Sequence, residues 1–165
     1  MWVCVHMLTG AAAGRLLRRL GLTGPLLPLT GPVLHAALDR APHWDYTALH
    51  RRLLWSALDV GTATSLLVQG HRRGLETSVL AAGLLSAAPD LDVAGEAFAG
   101  SRRVTAPRRR LFPSHRPGFA HGETQFWPGL AVQGVAVAVS LLILARSRPE
   151  ISRTRRRARN AASKP

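Results

Sequence analysis

A chain of 165 residues with one cysteine is short enough for a single domain and holds neither an internal disulfide nor a cysteine-based zinc site. Its formal net charge is +13, with 22 Lys and Arg, yet its mean hydropathy is slightly positive, so apolar and charged residues must be segregated along the chain. The arginines cluster at the ends of apolar runs, which is the pattern of bilayer anchoring rather than of a nucleic-acid-binding face, and no nucleic-acid partner is expected.

The first apolar run predicts a helix over 1–20. It carries His6 near its start, Gly10 and Gly14 on one face, and Arg15, Arg18 and Arg19 at its end. No basic region precedes it, so a cleaved signal peptide is not expected. The second run, 22–40, contains Leu-Thr-Gly-Pro twice, and Pro25, Pro28 and Pro32 predict a broken or re-entrant segment that becomes regular only at about Val33. Its end reads His35-Ala-Ala-Leu-Asp39-Arg-Ala-Pro42-His43-Trp-Asp45. His35 and Asp39 are four apart and share a helix face, while Pro42 should stop the helix and turn His43 and Asp45 back over its end.

The third helix, expected over 46–70, buries Asp59 among leucines. An ionised carboxylate inside a spanning helix costs at least ~3 kcal/mol without a partner. The fourth, over 74–90, finishes on Pro89-Asp90. An extramembrane segment, 91–125, carries His115 and His121, and a fifth helix over 126–146 holds Gln133. Residues 147–165 form a basic tail with little apolar content, expected to be disordered and cytoplasmic and suited to anionic lipid.

Each of the five runs falls at or just below the roughly 17–25 residues that cross a bilayer. Together they leave too little polar surface to wrap a soluble core. The expected fold is therefore all-α, a polytopic transmembrane bundle of about five helices over 1–146, one of them broken by prolines, in the cell membrane. With the tail inside, basic residues number 13 on the inner side and nine on the outer, a modest positive-inside bias. Helix alternation brings His6, the 35–45 cluster, Asp90, His115 and His121 to one membrane face, and leaves His71 at the other.

Imidazoles and carboxylates are ordinary metal ligands. The predicted set is His35, Asp39, His43, Asp45, Asp59 and Asp90 around a divalent metal, zinc among the candidates, with Asp59 or His121 available for proton transfer. For each, a structural reading stands beside the functional one: a His–Asp pair at a helix end, an ion pair at Asp59, turn chemistry at Pro89-Asp90, solvated histidines in the loop.

The order of these motifs resembles a family of small bacterial and archaeal integral membrane proteins with an HxxxDxxPHxD-type stretch, and more distantly the membrane-bound metal-dependent hydrolases. His6, Gly10 and Gly14, the 35–46 stretch, Asp59, Pro89-Asp90 and Gln133 carry the likeness. It implies hydrolysis of a lipid-linked or other phosphate ester. The alternative is a non-enzymatic membrane protein, either a metal-binding or transport component or a scaffold that uses the His–Asp pairs structurally.

Overall fold

A computed structural model describes residues 2–45, 52–91 and 110–146. The 46–51 and 92–109 segments and the basic tail, including its expected disorder, lie outside the described residues. Within them the chain is all-helical: α1 Val3–Arg19, α2 Leu26–Leu38, α3 Arg52–Arg72, α4 Thr77–Ala87 and α5 Phe126–Ala145, with 3₁₀ turns at Ala88–Asp90 and Pro113–His115. The five apolar runs each yield one helix. Among the described residues only α5 is long and apolar enough to cross a membrane by length and composition. At 1.5 Å per residue, α2 with 13 residues and α4 with 11 reach only about 20 and 16 Å.

The second segment departs from expectation. It is helical from Leu26 rather than from Val33, with Pro32 inside it. Pro25 sits at the N-cap and Pro28 in the first turn, where a missing N–H removes no helical bond. Only Pro32 withdraws a donor from the ladder. The helix ends before Pro42, as expected: Ala41 donates to the Leu38 carbonyl at 2.9 Å, and the chain then turns.

α1 packs on α4, α2, α5 and α3, and α2 packs on α4. Small residues set the α1–α2–α4 spacing. A Cβ on Gly31 would lie 2.6 Å from the Ser86 nitrogen and 2.7 Å from the Ala82 carbonyl, one on Gly83 would lie 2.8 Å from the Met7 carbonyl, and one on Gly10 would run into Ser86. Without side chains at these points the three backbones approach closely. A small apolar core of Cys4, Val5, Met7 and Ala63 fills the space between α1 and α3. The apolar residues facing outward are more numerous, among them Leu26, Leu29 and Val33 on α2, Leu53, Leu54 and Leu58 on α3, and Val135, Val139 and Leu142 on α5.

Two features anchor the end of the bundle where α1 and α5 begin. The Asp59 carboxylate, 4% exposed, accepts the α1 amides of Val3 at 2.7 Å and Cys4 at 2.8 Å. It caps that helix from a neighbouring one, since α1 has no side-chain cap of its own, and its charge complements the positive end of the helix dipole. All four tryptophans of the chain also gather here. Trp2 lies 6.2 Å from both Trp44 and Trp55, Trp44 packs edge-on against Phe126 at 4.8 Å, and Phe126 against Trp127.

Candidate metal centre

The close packing of α2 on α4 brings His35, one turn beyond Gly31, against the last turn of α4. Its Nδ1 lies 2.7 Å from the Ser86 carbonyl. A carbonyl can only accept, so Nδ1 carries the proton, and in the neutral ring Nε2 keeps a lone pair. A backbone anchor on one ring nitrogen is how ligating histidines are commonly oriented.

Around that lone pair stand three further donors. Asp39 Oδ2, one turn on at the C-cap of α2, is 3.0 Å from His35 Nε2; Asp90 Oδ1, from the turn beyond α4, is 3.9 Å away. His115 Nε2, from the second 3₁₀ turn, is 3.3 Å from His35 Nε2, 3.8 Å from Asp39 Oδ2 and 4.0 Å from Asp90 Oδ1. Five distances among four donor atoms thus fall between 3.0 and 4.0 Å. Bonds of about 2.0–2.2 Å to one ion place tetrahedral ligands at about this spacing from each other. From α1, His6 stacks on His35 with ring centroids 3.9 Å apart and brings Nε2 to 3.2 Å from Asp39 Oδ1.

Burial makes this arrangement expensive. His6 and His35 are fully buried and Asp39 is 2% exposed. Even so, Asp39 Oδ2, Asp90 Oδ2 and both ring nitrogens of His6 make no hydrogen bond of adequate geometry. Buried polar atoms are almost always satisfied, and polar atoms that crowd without bonding one another are what a shared cation leaves behind when it is taken away. The donor set fits a divalent metal on that ground, and among the described residues groups that could hold one are His6–His35–Asp90, His35–Asp39–His115 and Asp39–His43–His121.

The third group is built by the backbone. Gly122 donates to the Asp39 carbonyl at 2.7 Å, His43 to the Gly122 carbonyl at 2.9 Å, and Thr124 to the His43 carbonyl at 2.9 Å. The two chain segments lie so close that a Cβ on Gly122 would run into the Ala41 carbonyl. Gln133, in α5, donates to the Trp44 carbonyl at 3.2 Å and holds the turn from the other side. His43 gives Nδ1–H to the Ala41 carbonyl at 2.9 Å, and His121 gives Nε2–H to the Ser114 carbonyl at 2.8 Å. Each keeps its other nitrogen available. Burial pushes the His43 pKa down, toward the neutral form that ligates metals.

Of the residues expected from sequence, His35 is brought to Asp39 and Asp90, and His43 to Asp39, where His121 joins them as a donor. Asp45 and Asp59 belong to none of the three groups. Asp59 is engaged by the α1 amides, because the α1–α3 contact puts its carboxylate at the helix N-terminus instead of among the histidines. His6 and His115 enter the cluster although the expected ligand set omits them. For His6 a signal existed: His6, Gly10 and Gly14 repeat every four residues, so the imidazole lies on the stripe along which α1 packs. No family model, curated protein or solved structure matches this chain.

Proposed function

We propose that the chain is a multi-pass integral membrane protein that binds a divalent metal at one membrane face and hydrolyses a phosphate ester there. The metal reading is carried by the approach of Asp39 Oδ2 and Asp90 Oδ1 to both His35 Nε2 and His115 Nε2, at 3.0–4.0 Å, with the two imidazole nitrogens 3.3 Å apart and His35 oriented by the Ser86 carbonyl. The membrane reading rests on α5, whose apolar window is only 17% buried and so is not a core helix, and on the leucines and valines that α2 and α3 turn outward. The tryptophan cluster beside the site is the composition of a membrane–water interface. That position suits an ester whose phosphate lies at the headgroup level, a lipid-linked one included. The resemblance to membrane-bound metal-dependent hydrolases belongs to this proposal and points the same way.

A divalent ion acidifies water and polarises a phosphoryl oxygen. The residues do the rest. His35, Asp39, Asp90 and His115 fix the position, and His6 packs against the ring of His35. In the hydrolysis itself, water oxygen bonds to phosphorus and the ester P–O bond breaks. One water proton leaves with the alcohol and the other stays on the released phosphate.

Metal content of the full chain, purified in detergent and loaded with Zn²⁺, tests the core of this reading. His35→Ala should abolish retention, whereas His71→Ala, on an exposed position at the opposite end of the bundle, should leave it unchanged. Equal metal in wild type and His35→Ala overturns the metal centre in favour of a structural His–Asp network. Release by carbonate without detergent would overturn the membrane reading. A metal-loaded chain that cleaves no phosphate ester in a broad screen would leave a binding or transport component instead of a hydrolase.

A further inference from the structure

His35 gathers Asp39, Asp90 and His115 around its Nε2, but His43 and His121 do not belong to that set. Although the His121 ring stacks on that of His115 at 6.3 Å, His43 and His121 form with Asp39 a separate group whose donor atoms lie within 4.8 Å of one another. We propose that this group is a second divalent-cation position, and that Asp39 bridges the two ions. The inference rests on the metal reading above and deepens it.

Asp39 is the only residue common to the His35–Asp39–His115 and Asp39–His43–His121 groups. A carboxylate has two oxygens and about four lone-pair sites, enough to serve two cations at once. It is nearly inaccessible to solvent, and its Oδ2 has no hydrogen-bond donor. His43 is likewise 2% exposed, and its proton is committed to the Ala41 carbonyl, so Nε2 is left to donate its pair. His121 shows the opposite tautomer. Its Nε2–H is committed to Ser114, leaving Nδ1. The two rings are 6.3 Å apart and inclined at 68°, so that two nitrogens can address one ion from different directions. Nothing in the packing of α2 on α4 explains these anchors, since both come from the connecting segments.

The backbone bonds linking 39–43 to 122–124 give this group its rigidity. One clamp carries Asp39, His43 and the residue next to His121, so the three donors are placed by main chain before any ion arrives. Preorganisation of that kind is what a metal site on loops requires.

Charge indicates what such a pair would hold. Two divalent ions against the carboxylates of Asp39 and Asp90 leave two net positive charges, with histidines neutral. A phosphate monoester dianion balances them. Ions about 3.5–4 Å apart, the spacing of known two-metal sites, clamp the attacking and leaving oxygens of a phosphoryl displacement. The Arg40 guanidinium, 4.7 Å over the ring of Phe119, adds a cation at the rim.

The test is metal stoichiometry of the metal-free full chain in detergent, titrated with Zn²⁺ and read by elemental analysis after removal of excess. Wild type should retain two equivalents and His121→Ala one. His121 is exposed, so its loss should leave the fold intact, and an unchanged thermal midpoint checks this. Without any variant, Mn²⁺-loaded wild type should give a spin-coupled electron paramagnetic resonance spectrum. A single equivalent in wild type that His121→Ala does not lower overturns the second position while leaving the first. Two equivalents in both proteins, or two uncoupled Mn²⁺ signals, overturn the assignment or the bridge. No retained metal at all overturns the reading on which the inference rests.

Discussion

At one end of the bundle, where α1 and α5 begin and α2 and α4 finish, His6, His35, Asp39 and His43 are buried nearly completely. At the other end the ionisable groups are more exposed, although Arg15 Nε is buried there without a hydrogen-bond partner. His71, Arg72 and Arg73 are exposed, and Arg18 pairs with Glu76 where both side chains are about a third exposed. There the turn from α3 to α4 is closed by Gly74 in the left-handed region, φ 75°, with Leu75 donating to the Gly70 carbonyl. The same helices thus terminate by ordinary means on one side. Taking imidazoles and carboxylates out of water is unfavourable unless they are paired or hold a cation. The buried cluster is therefore not something the fold needs in order to end its helices, and the contrast between the two ends favours a functional origin for it.

The comparison can be broken at the packing that creates it. Gly31→Val should be the most damaging single change, because its side chain has only α4 backbone to enter. Overpacking of this kind costs typically 1–3 kcal/mol or more, and it would pull His35 away from Ser86, so thermal stability and metal content should fall together. Gly61→Ala, on α3 with open space around the position, should instead be neutral or stabilising by up to about 1 kcal/mol. If both glycines tolerate substitution equally, close approach of α2 and α4 does not build the site.

Asp59 provides a second, smaller contrast within the site end itself. Asp59→Asn removes the charge that meets the Val3 and Cys4 amides and should cost about 1–2 kcal/mol, seen as a lower thermal midpoint, with metal content as in wild type. Loss of metal at unchanged stability would return Asp59 to the ligand set. Smallest of all should be Arg18→Gln at the opposite end. An exposed ion pair is worth about 0–1 kcal/mol, so the midpoint should hardly move, and metal retention should not move at all. A large effect there would mean that the two ends are coupled.

Much of this was legible in the sequence. Apolar runs flanked by arginine located the five helices, and the four-residue spacing of His35 and Asp39 placed both on one face. Pro42 marked the turn that brings His43 back, and Pro89 the turn that delivers Asp90. What escaped depends on tertiary approach. The role of Asp59 is decided by which helix N-terminus lies beside it, and a lone intrahelical carboxylate looks the same as ligand or as cap. Helix alternation puts His115 and His121 on the cluster's face, but they sit 80 and 78 positions after His35 and His43, and no local pattern says which donors they meet. The prolines of α2 misled because their effect depends on position: in a first turn they are harmless, and only the bundle fixes where the turn begins.

The hydrogen bonds between 39–43 and 122–124 also order events in time. His35 meets His115 across a sequence separation of 80 residues, and loop closure over such a distance must precede the contacts that reward it. A growing chain can assemble α1, α2 and α4 through their small residues while Asp39, His43 and Asp90 still face an open mouth. Only when the segment ahead of α5 has been synthesised and laid across that mouth do His115 and His121 arrive. In a growing chain His115 and His121 are thus the last of the candidate donors to arrive, after His6, His35 and Asp90, which by themselves make up one candidate group.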